Sequence, residues 1–168
     1  MSILDIKIIG NSILQKTLNP VTSFDENLKS IVDNMKESMV YNEGIGLAAN
    51  QVGFDLRLFL IYEKLIDDSK DFLVMINPVI QASDGRSTFE EGCLSVPNVW
   101  ADVVRPERIE VDYFDVNGKE RKIQADGLLA RVIQHENDHL NGVLFIERLP
   151  KLKQKMLYPK LRKQFHLP

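Results

Sequence analysis

Apolar residues recur at three- and four-residue spacing in two stretches of this chain. In the first, Leu28, Ile31, Val32, Met35 and Met39 repeat with the helical period and predict a helix over residues 25–41, started at Ser23 or Asp25. In the second, Leu128, Val132, His135 and His139 fall on one face of a predicted helix over residues 126–142. Asp126 is placed to cap its start, and Asn141-Gly142 to stop it. Pro150 can open a last helix, residues 151–164.

Between these helices the period falls to two. Residues 56–62 and 72–76 read as strands, the second ended by Asn77-Pro78. Asp84-Gly85 predicts a hairpin joining residues 79–82 to 86–90, and Asn117-Gly118 predicts another joining 108–114 to 119–124. Residues 99–104 precede Arg105-Pro106, residues 3–9 read as a strand or extended lead-in, and residues 12–16 as one helical turn. Helices and strands follow without a βαβ rhythm. The expected fold class is α+β, with mostly antiparallel sheet packed around the 126–142 helix and with an N-terminal and a C-terminal helix. Residues 1–168 are expected to form a single catalytic domain.

Composition narrows the chemistry. A formal net charge of −3 argues against a chain built as a whole to bind nucleic acid. The single cysteine excludes an internal disulfide framework and suits a reducing compartment. No apolar run approaches bilayer length, and Asp5 interrupts the N-terminal apolar run, so the cytoplasm is the expected location. The last helix carries Lys151, Lys153, Lys155, Lys160, Arg162 and Lys163 with no acidic residue. Such a run is either a solvated face or a docking surface.

Of three histidines in the chain, two stand four residues apart around a glutamate, in His135-Glu136-Asn-Asp-His139. Imidazoles at that spacing can share one metal ion, and the adjacent carboxylate can handle protons. The competing reading is an ordinary amphipathic helix with two satisfied histidines. A catalytic ion needs a third ligand and an open position. Cys93, a soft donor on a glycine-flanked turn, competes for that role with Glu147 and other carboxylates; His166, near the C-terminus, is a poor choice. In Glu43-Gly-Ile-Gly-Leu-Ala-Ala-Asn-Gln-Val-Gly53, the glycines indicate tight backbone, and Gln51 is the one long polar side chain after Glu43.

Three stretches carry a resemblance: Gly44-Ile-Gly-Leu-Ala-Ala-Asn-Gln51, Glu91-Gly-Cys-Leu-Ser95 and Gln134-His-Glu-Asn-Asp-His-Leu140. In order and spacing they resemble the three motifs of the peptide deformylases, and the likeness covers essentially the whole chain. It implies a hydrolase that removes the formyl group from N-formylmethionyl nascent polypeptides. By this resemblance Cys93, His135 and His139 hold one divalent metal, commonly Fe(II), with nickel, cobalt or zinc accepted. A metal-bound water attacks the formyl carbon with Glu136 as general base and acid, while Gln51 and the Leu94 N–H stabilise the oxyanion. Ile45, Leu128 and Val132 match the methionine pocket, and Gly46 and Gly92 match positions where peptide backbone approaches. Glu91 and Arg105 resemble an ion pair that steadies the cysteine loop, which would have to be partly buried to matter. The resemblance also implies ribosome contact through residues 151–163. Three positions depart from the pattern. Asn50 replaces a proline and is expected to loosen its loop slightly; Trp100 replaces an arginine and Arg131 an apolar residue, both expected to reshape the pocket mouth. A His-Glu-x-x-His peptidase, or a silent metal-binding relative, would lack the reason to keep all three motifs.

Overall fold

The computed structural model describes residues 2–168. Asp25 starts the first helix, α1 (Glu26–Tyr41), its carboxylate accepting from the Leu28 N–H at 2.9 Å. Five antiparallel strands form the main sheet in the order β1 (Gly46–Ala48), β2 (Leu58–Tyr62), β3 (Phe72–Asp84), β6 (Arg108–Phe114) and β7 (Glu120–Asp126). Helix α2 (Gly127–Leu140) follows directly. The intervening strands β4 (Ser87–Cys93) and β5 (Val96–Arg105) pair only with each other, as a separate hairpin.

The apolar run Leu58-Phe-Leu-Ile61 is continuous because both faces of β2 are covered. Leu58 and Leu60 pack with Val32, Met35 and Met39 of α1; Phe59 and Ile61 turn to the other face, with Ala130, Ile133 and Leu140 of α2. The hairpin has its own core. Its Val96, Val99 and Val103 pack on Leu144, Phe145, Ile146 and Leu161, the last from α3 (Lys151–Phe165). No helix among the described residues is long and apolar enough to cross a membrane.

The α+β class, the three helices and the Asn117-Gly118 hairpin match the expectations. Four details differ. Strand β3 does not end at Asn77-Pro78 but runs through it at a bulge, where Asn77 takes φ 50° and brackets the Val21 backbone with two 2.9 Å hydrogen bonds. Proline is tolerated there because a bulge needs no ladder donor. Asp84-Gly85 makes no hairpin: Asp84 pairs with Arg108 and Ser87 with Arg105, so the turn carries the chain from one sheet to the other. A turn signal specifies a bend and not the partner beyond it. Strand β1, buried throughout, lies inside the glycine-rich stretch expected to be only a loop. Asp126 stands at the α2 N-cap without a side-chain cap bond, being the exposed last residue of β7. At the other end Gly142 takes the expected left-handed turn, φ +71°.

Candidate metal centre and cleft

Helix α2 presents its two histidines toward the end of β4. Cys93 closes that strand at the turn into β5, which brings its sulfur to 3.3 Å from His139 Nε2. The ligand atoms of Cys93, His135 and His139 all lie within 4.8 Å of one another. His135 hydrogen-bonds Glu91 through Nδ1 at 2.8 Å, which leaves Nε2 for the centre of the cluster. Burial lowers the His139 pKa well below the ordinary histidine value, favouring the neutral imidazole that a metal requires. Burial also acts to lower His135, but its hydrogen bonds with Cys93 and Glu91 prevail and raise it well above that value. Glu147 and His166 stand elsewhere: Glu147 accepts from the Leu144 N–H at 2.7 Å, and His166 ends α3.

Glu136 is 3% exposed, and its Oε2 has no hydrogen-bond partner. Burial pushes its carboxyl up to about 7, against the favourable charges of His135 and Arg105. Beneath it lies Gly46, where a Cβ would overlap the carboxylate. Gln51 comes from the 3-10 turn after β1. Its Oε1 accepts from the Ala48 N–H at 2.9 Å, which orients the amide. Its Nε2 therefore points at Ser95 Oγ, 3.2 Å away, and at Cys93 Sγ, 3.5 Å away.

Cys93, His135, Glu136 and Gln51 share one cleft of about 680 Å³, within the usual size of a ligand site. Ile45, Gly46, Gln51, Glu91, Gly92, Cys93, Leu94, Leu128, Val132, His135 and Glu136 all line it, with Leu128 at its exposed mouth. Glu91 and Arg105 form a buried bidentate pair, 2.7 and 2.9 Å. Burial raises the Glu91 pKa, but bonds from His135 and Arg105 dominate and hold the carboxyl at about 2.

The structure gives each of the three departures a physical setting, with Trp100 and Arg131 both lining the cleft. Asn50 does not loosen its loop: fully buried, it donates from Nδ2 to the His139 carbonyl at 2.8 Å and ties the Gln51 turn to the end of α2. Trp100 lies over Gly92, where a Cβ would stand 2.6 Å from its Nε1. Arg131 borders the cleft, and its guanidinium is tied to Glu91 and the hairpin backbone. Sequence reasoning also missed Asp138, which accepts from Arg105 at 2.9 Å and from Arg148 at 2.6 Å, and Ser95 beside Gln51. Asp138 and Ser95 had a signal, since they fall inside the histidine and cysteine motifs; Arg148 had none beyond chain position.

One sulfur and two imidazoles, converging beside a buried carboxylate with an unpaired oxygen, fit a divalent ion, and a cleft opening onto them defines a metal-site hydrolase class. The comparisons make it more specific. The family model described as polypeptide deformylase matches residues 3–155. A peptide deformylase of Brucella suis is 43% identical over 164 residues, 97% of this chain and 94% of the relative. In structure, the chain is similar to a Legionella pneumophila peptide deformylase (TM-score 0.88, 42% identity, 98% of this chain and 96% of that one). It is also similar to one from Synechococcus elongatus in complex with actinonin (TM-score 0.89, 40% identity, 98% and 89%). The chain belongs to the polypeptide deformylase family and is an enzyme of that family.

Proposed function

We propose that this enzyme removes the formyl group from N-formylmethionyl nascent polypeptides, releasing formate and a free amine. The observation that carries the reading is the convergence of Cys93, His135 and His139 within 4.8 Å, with Cys93 and His135 lining the cleft that also holds Glu136 and Gln51. These three residues would hold one divalent metal. Iron(II) is the native ion by resemblance, although a thiolate with two imidazoles also accepts zinc, nickel or cobalt. When bound, such an ion polarises a carbonyl and lowers the pKa of water from 15.7 to roughly 7.

The side chains supply the rest. Glu136 takes the proton of the attacking water and passes it to the departing nitrogen as the C–N bond breaks. Gln51 Nε2 and the Leu94 N–H donate to the oxygen on which charge develops, each worth about 3 kcal/mol of barrier. Ile45, Leu128 and Val132 receive the methionine side chain, and Gly46 and Gly92 admit the peptide backbone. Glu91 and Arg105 keep the ligands in register. We take residues 1–168 as one catalytic domain acting in the cytoplasm. The six exposed cations of α3 support docking to the ribosome, a reading that ends if co-sedimentation survives their charge reversal.

Glu136→Ala tests the assignment of the proton carrier. The expected variant binds metal like the parent and loses formate release by about 10²–10⁴-fold. Undiminished release would remove Glu136 from that role.

A further inference from the structure

Cys93 and His135 belong to different layers of the molecule. The β4–β5 hairpin pairs with no strand of the main sheet, and its valines pack on the segment before α3 and on Leu161. Helix α2 buries its apolar side against the main sheet instead. A sulfur on one layer and an imidazole on the other need something to hold them at ligand distance, and beside Leu94, which packs with the α1 core, the groups that span the joint are polar.

Arg131, with a side chain 5% exposed, makes four of those bonds. Nη1 donates to Glu91 Oε2 at 2.6 Å and to the Val103 carbonyl at 3.0 Å; Nη2 donates to the Ser87 carbonyl at 3.0 Å and to Ser87 Oγ at 2.9 Å. It thus grips both strands of the hairpin. Glu91 spends its other oxygen on His135 Nδ1, and His135 stands one turn beyond Arg131 on the same helix. The carboxylate is pinched between two groups of α2 spaced four residues apart. Glu91 lies two residues before Cys93, so fixing it fixes the sulfur as well.

We propose that Arg131 is a positioning residue, a clasp that seats the Cys93 hairpin on the His135 helix through Glu91, Ser87 and Val103. The inference rests on the metal-site reading above, not on the identity of the substrate. A guanidinium is suited to the task because its fixed fork of donors serves a carboxylate, two carbonyls and a hydroxyl at once, four acceptors against the three N–H groups of an ammonium. Its removal leaves the Ser87 and Val103 carbonyls without these donors and Glu91 with Arg105 alone on Oε2, so the carboxylate and the attached turn gain freedom.

The test uses the full chain loaded with Co(II), whose bond to a cysteine sulfur gives a charge-transfer absorption. Arg131→Met should release Co(II) to a chelator about 10–100-fold faster than the parent, the range typical for loss of a group that orients a metal ligand. Its absorption band should weaken or shift. Arg131→Lys should fall between the two, and it decides the question alone if the methionine variant does not fold. Release and spectrum equal to the parent's would overturn the proposal, whatever happens to peptide preference. Neither readout needs turnover, so a parent protein that holds Co(II) but frees no formate would end the deformylase reading and leave this one standing. A parent that holds no Co(II) would end this one.

Discussion

The α-carbon of Gly46 lies against the carboxylate of Glu136, so close that any β-carbon there would overlap it. The absence of a side chain on β1 is therefore what gives the acid on α2 its place. The obstructed atoms are the end of a flexible side chain, so Gly46→Ala should displace Glu136 and leave the fold intact. A shift of about 1 Å in a catalytic group costs on the order of 10²-fold in rate. The expectation is a loss of that size in kcat for formate release, with unchanged far-ultraviolet circular dichroism and metal content. Full activity in this variant would mean that Glu136 has room the geometry does not show.

Of the three proposed ligands, Cys93 alone does not come from α2. Cys93→Ala should leave two imidazoles, which hold a divalent ion poorly, and elemental analysis after gel filtration should find the metal lost or exchanged for another. Stoichiometric retention of the parent's ion would remove Cys93 from the ligand set.

Asn50 ties the Gln51 turn to the last turn of α2 through the His139 carbonyl. Its replacement by alanine strands a buried acceptor, at a cost of about 1–2 kcal/mol. In a chain of this size that corresponds to a drop in Tm of roughly 3–6 °C. An unchanged melting curve would show the bond to be dispensable.

Glu91 in the metal-free protein titrates far below a free glutamate, at about 2 against 4.5, because the bonds from His135 and Arg105 outweigh its burial. A depressed folded-state pKa contributes stability above the unfolded value and loses it as pH falls from about 4.5 towards 2. Chemical denaturation of the metal-free protein across that window should show a steeper loss for the parent than for Glu91→Gln. Parallel slopes would contradict the assignment.

Helices and site chemistry were legible in the sequence for a common reason: each is a local pattern. The α1 stripe, the His-Glu-x-x-His spacing and the Asn117-Gly118 turn are each read from residues close together in the sequence. Cys93 was not separable from Glu147 on chemistry alone, because nothing local says which of them a hairpin will deliver to α2; the family motifs pointed to it, and the fold brings its sulfur to the histidines. Arg131 shows the same limit. The family resemblance put it at the pocket mouth, but its charge finds Glu91, a partner 40 residues away. Likewise the Asp84-Gly85 turn was visible and its partner strand was not, since pairing depends on contacts made far along the chain.

The central claim is that these convergent residues hydrolyse a formamide. Purified protein, kept anaerobic and with its metal content measured, should release one formate for each formyl-Met peptide it deformylates and leave the unformylated peptide bonds intact. No formate with iron, nickel, cobalt or zinc in the site would contradict it.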